Sequence, residues 1–179
     1  MRQTWLLFLS AILISIEGVS AIGCSFVHSN DRFYPSPPAD WHKVDAGPFS
    51  ILAPPGWEFH QLAGVDSYVG EFVGDGVALF FDFGGYTRNL KEAKKPAYLI
   101  AHASVDGFPV KIVSPRTPGH GLTAIYFHNV GHSNGLCLWG KDLTSPQQEL
   151  ALKIFETIHF GGAMPRYVIP PPPLSKNTP

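Results

Sequence analysis

Apolar and polar positions alternate through "SYVGEFVGDGVALFFDFG", residues 67–84, and that alternation predicts a β-hairpin. A two-residue type I′ turn at Asp75-Gly76, which this dipeptide favours, pairs Gly74 with Val77. Tyr68, Phe72, Leu79, Phe81 and Phe83 then share one face, and Val69, Glu71, Val73, Ala78, Phe80 and Asp82 share the other. A three-residue loop would mix the two sets, so the pattern itself selects the turn. Ahead of the hairpin, "FSILAPPGWEFH" holds two short strands broken by Pro54-Pro55-Gly56.

"TRNLKEAKK" follows as a short helix stopped by Pro96, with Arg88, Lys91, Lys94 and Lys95 on its solvated side. Strands are expected in "AYLIAHASV", "FPVKIVS", "LTAIYFHNV" and "LCLWG". The last element is an amphipathic helix in "SPQQELALKIFETIHF". Ser145 and Gln148 form its capping box, Pro146 takes the first helical position, and Leu150, Ala151, Ile154, Phe155 and Ile158 line one side. Adjacent strands with a helix near each end of the run predict an α+β domain, a mostly antiparallel twisted sheet flanked by helices.

The ends of the chain follow other rules. Arg2, the apolar run at residues 5–16 and the small residues after it have the charge, core and exit of an export signal over residues 1–21. The run is shorter than the roughly 18 to 20 apolar residues a spanning helix needs. Two cleavages compete. Val19-Ser20-Ala21 suits ordinary signal peptidase and leaves Ile22 first. "AIGC" resembles a bacterial lipobox, which would make Cys24 the lipidated first residue, although Ala21 stands where Leu is usual. Residues 22–40 carry Pro35, Pro37 and Pro38 and read as a tether; residues 41–162 form one folded body; residues 163–179, with Pro170 to Pro173, form a proline-rich tail.

Composition narrows the function classes. The chain of 179 residues is 45% hydrophobic and 13% aromatic, enough for one packed core. A net charge of −1 offers no footprint for nucleic acid, which is not expected as a partner. An unlipidated Cys24 can pair with Cys137 in an oxidising compartment; a lipidated Cys24 leaves Cys137 a lone thiol.

"FSILAPPGWE", the hairpin and the closing "ALKIFETIHF" together resemble the PsbP-like (Mog/PsbP-type) fold over roughly residues 48–160. The resemblance rests on pattern and order of elements. It implies a sheet flanked by helices that serves binding or assembly, and it brings no catalytic residues.

Three chemical constellations stand beside that expectation. Gly131-His132-Ser133-Asn134-Gly135 spells the nucleophile-elbow pattern, but a strand rather than a helix follows it, so Asn134-Gly135 reads as hairpin turn chemistry. His120, His128, His132 and Cys137 are ligand types for zinc. A four-residue loop at 131–134 would set His128 across from Cys137, whereas an Asn134-Gly135 turn pairs other residues. Glu71 and Asp82 fall diagonally on one hairpin face, a spacing of roughly 7 to 8 Å that suits an acid and base pair.

The reading that follows is an exported, non-catalytic binding or assembly module of the bacterial envelope, periplasmic or membrane-anchored through lipid on Cys24, or else secreted. Its partner is an unidentified envelope protein or ligand, and no cofactor is expected. The alternatives are a small envelope hydrolase and a metal-binding protein with His128, His132 and Cys137 as candidate ligands. Tyr86, Tyr126 and Trp139 are the candidate binding residues, being aromatics near turns.

Overall fold

A computed structural model describes residues 36–94, 96–131 and 134–161, all within the compact unit Asp31–Pro179. The expected export signal, Cys24 and proline-rich tail lie outside the described residues.

The strands are β1 (His42–Asp45), β2 (Phe49–Ala53), β3 (Glu58–Gln61), β4 (Tyr68–Gly74), β5 (Val77–Gly84), β6 (Tyr98–Val105), β7 (Phe108–Pro115), β8 (Leu122–Phe127), β9 (Gly135–Lys141) and β10 (His159–Phe160). The helix α1 spans Ser145–Phe155. Seven strands form one antiparallel sheet in the order β3-β4-β5-β9-β8-β7-β6, and β1-β2-β10 form a second.

The fold is therefore β-rich, with one helix among the described residues, and the expected α+β sheet flanked by helices is corrected. The helix expected at "TRNLKEAKK" does not form over residues 87–94. Asn89 Oδ1 accepts from the Lys91 N–H at 3.2 Å, and Leu90 takes φ 55°. A local side-chain turn and a left-handed residue together end helical propagation before it starts. The closing helix does form, but its cap is Thr144 rather than Ser145. Gln147 Oε1 accepts from the Thr144 N–H at 3.0 Å, which puts Pro146 one position further in.

The β4–β5 hairpin has the expected register, Gly74 opposite Val77 and Tyr68 opposite Phe83. Asp75 and Gly76 both have positive φ, 51° and 69°, as a type I′ turn demands. Asp75 Oδ2 also accepts from the buried Trp57 indole N–H at 2.9 Å. Gly74 is needed for a second reason: a Cβ there would run into that indole. The β6–β7 hairpin uses the same chemistry at Asp106-Gly107.

One face of the large sheet is closed. Phe72, Leu79, Phe81, Phe127, Leu136 and Leu138 are at most 1% exposed and pack beneath β2 and α1. Phe49 of β2 sits edge-on to Phe81, with centroids 5.0 Å apart. Ala151, Ile154, Phe155 and Ile158 are buried as the helical spacing predicts, while Leu150 is half-buried. Among the described residues no helix is long and apolar enough to cross a membrane.

Candidate functional site

Strand order explains what happens on the other face. After β5 the chain must reach the far edge, four strand spacings or roughly 19 Å away, before it meanders back through β6, β7 and β8 to pair β9 with β5. Residues 85–94 make that crossing as a strap. Leu90 and Ala93 are buried and pack with Val113, Ala124 and Cys137. The rest of the face stays half-open: Val69, Glu71, Val73, Ala78, Phe80 and Asp82 are all half-buried.

Cross-strand partners set the order of side chains there. Val69, Asp82, Cys137, Tyr126, Lys111 and His102 form one row; Glu71, Phe80, Trp139, Ala124, Val113 and Ile100 form the next. The sheet thus gathers Tyr126, Trp139, Cys137, Glu71 and Asp82, all singled out in the sequence, on one surface. Phe80 and Trp139 stack with centroids 6.2 Å apart, and the Arg88 guanidinium lies 5.5 Å from the Trp139 ring. Arg88 Nε is 3.6 Å from Glu92 Oε1. Tyr86, where the strap begins, is 83% exposed.

Asp82 is the acid that the flanking phenylalanines make conspicuous. Its Oδ1 is buried and has no hydrogen-bond partner among the described residues. Glu71 is its diagonal neighbour, and His60 Nδ1 lies 3.7 Å from Glu71 Oε1 while Nε2 lies 3.7 Å from Glu58 Oε2.

Of the candidate metal ligands, His128 and Cys137 are not cross-strand partners. Tyr126, not His128, faces Cys137 across the ladder. His128 is exposed, with Nδ1 3.2 Å from the Tyr126 hydroxyl. Cys137 is buried, and burial pushes its thiol up to about 12, which disfavours the thiolate. Burial, and then Cys137 beside it, raises the Tyr126 hydroxyl as well. Among the described residues no three His, Cys, Asp or Glu side chains are grouped to hold a metal ion. His132 and Ser133 lie outside the described residues, as does Cys24, the partner of Cys137 in the expected disulfide.

Sequence reasoning missed three residues of this face: Arg88, Leu90 and Lys111. Leu90 is fully buried yet left-handed, an unusual conformation for a branched side chain. That backbone costs about 1 to 3 kcal/mol, and burying the leucine returns about 1.5 to 3 kcal/mol. The two nearly cancel, so the strap depends on its ties. The Thr87 hydroxyl lies 2.8 Å from the Gly84 carbonyl and 3.1 Å from that of Gly135, and Lys111 Nζ donates to the Leu90 carbonyl at 2.7 Å. Each such bond contributes about 1 kcal/mol.

Comparison of the chain with protein-family models, with curated proteins and with solved structures finds no match. The half-open face therefore has to be interpreted from its own chemistry.

Proposed function

We propose that this chain is an exported, non-catalytic binding module of the cell envelope, and that it works through the half-open face of the large sheet. The observation that carries the reading is the row of half-buried Phe80 and Trp139 beside an Asp82 carboxylate oxygen without a partner. Aromatic surface supplies contact area at low entropic cost, and an unpartnered acceptor supplies direction. The export pattern at residues 1–21 supports the compartment.

The test is site-specific photo-crosslinking in the native host, with the reactive residue at Ala78 on the half-open face and, as control, at Lys153 on the last turn of α1. A defined adduct from Ala78 and none from Lys153, in an envelope fraction, is the expected result. Retention of the chain in the cytoplasm, or equal adducts from both positions, would overturn the reading. So would turnover of an ester or glycan substrate by the purified protein that is lost on Glu71→Gln.

A further inference from the structure

Leu90 is fully buried beneath the strap with φ 55°. Its side chain sits in a socket floored by Val113, Ala124 and Cys137 of the sheet, with Ala93 of the strap packed beside it. The half-buried Tyr98, Ile100, Tyr126 and Trp139 extend the apolar surface beyond it. Its carbonyl oxygen takes the Lys111 ammonium at 2.7 Å. A branched apolar end and an oxygen on a cation are thus held at once, by a residue in a strained backbone conformation.

Charge around the socket favours an anion at Lys111. Its neighbours in the cross-strand row are Tyr126 and His102, and Asp82 is three strand spacings away, roughly 14 Å. Arg88 and Glu92, also on the strap, are engaged with each other.

We propose that Leu90 and its carbonyl stand in for a long-chain carboxylate, which binds with its chain in the Leu90 socket and its head on Lys111 once the strap at residues 85–94 swings away. This rests on the reading of the face as a binding surface and names its ligand class. The strap then taxes affinity, because only the fraction of molecules with the socket vacated is competent to bind.

The experiment uses the exported protein isolated from its host, titrated with dodecanoate and with dodecyltrimethylammonium, both below their micelle concentrations. Dodecanoate is expected to bind and the cationic amphiphile is not. Leu90→Gly, which removes the plug and relieves the backbone, should tighten dodecanoate binding by about tenfold or more. Lys111→Met should weaken it by about tenfold. Thermal unfolding of each variant reports whether it is folded. Should Leu90→Gly fail to fold, hydrogen exchange on the unsubstituted protein decides: dodecanoate should speed exchange in residues 85–94 and leave α1 and β2 unchanged. Equal binding of both amphiphiles, no binding of dodecanoate, or unchanged exchange in the strap would overturn the inference. Adducts from Ala78 that persist in that case leave the binding module standing without this ligand; loss of both removes the module as well.

Discussion

Phe80 and Phe81 are neighbours on β5 that end on opposite sides of the sheet, and their surroundings differ in kind. Phe81 is 1% exposed and lies within 6 Å, centroid to centroid, of Phe49, Phe59, Tyr68 and Phe72. Phe80 is half-buried and stacks on Trp139 at 6.2 Å. The closed face is covered by a helix and three strands that bring their own apolar side chains. Among the described residues, the half-open face is covered where the strap crosses it, and there the cover supplies little more than Leu90 and Ala93. Stability is concentrated on the first side, which frees the second to carry acids, cations and exposed rings.

The largest expected effect tests that division directly. Phe81→Ala should lower the free energy of unfolding by about 3 to 5 kcal/mol, the cost of an aromatic cavity in a close-packed core. Phe80→Ala should cost less, about 1 kcal/mol, since part of that ring already meets solvent. Urea unfolding of both variants gives the two numbers side by side. Equal losses would mean that the second face is packed as tightly as the first.

A smaller effect sharpens the picture of the strap. Leu90→Ala should cost about 2 to 3 kcal/mol, toward the low end for a buried leucine because the strap can settle into the space. Leu90→Gly removes even more side chain, yet it should be less destabilising than Leu90→Ala by about 1 kcal/mol, because glycine takes a left-handed backbone without penalty. The usual order, glycine worse than alanine, would show that residue 90 is not left-handed in solution.

What was legible in the sequence follows from how specific each local signal is. The β4–β5 register could be read because Asp75-Gly76 names its turn and a one-residue slip would part Phe72 from Leu79, Phe81 and Phe83. The β8–β9 register could not. Setting His128 opposite Cys137 slips the observed pairing by two residues, and a slip of two leaves every side chain on its own face. Ile125, Phe127, Leu136 and Leu138 are buried either way, so alternation is silent on whether Tyr126 or His128 meets the thiol. Residues 87–94 misled for another reason. One leucine among Arg88, Lys91 and Glu92 reads as a solvated helix, and only strand order, which local pattern does not encode, turns it into a strap with a buried plug. Tyr126 and Trp139 lie on β8 and β9, two strands whose period was clear in the sequence.

The smallest effect concerns how each cover is fastened. The small sheet over the closed face is tied to the β6–β7 turn by Asp106, whose carboxylate accepts from the Phe160 N–H at 2.8 Å and lies 2.9 Å from His159 Nδ1. Burial pushes that carboxyl up, but the Phe160 N–H and His159 outweigh it and hold it below the ordinary aspartate range. A carboxyl whose folded pKa is depressed adds stability above its unfolded value and loses it as pH falls through the folded one. The strap on the other face is tied by a lysine to a carbonyl, a bond that acid leaves intact. Acid should therefore loosen the cover of the closed face first, even though that face carries more of the stability. Asp106→Asn keeps the turn and removes the charge, so its stability should lie below that of the parent near about pH 6 and converge on it toward about pH 2.5. Because Asp106 is close to solvent, the gap should be a fraction of one kcal/mol and should shrink in high salt. Hydrogen exchange at Phe160 across that range checks the mechanism. Exchange that quickens in residues 85–94 before it quickens at Phe160 would reverse the assignment of which cover the acid releases.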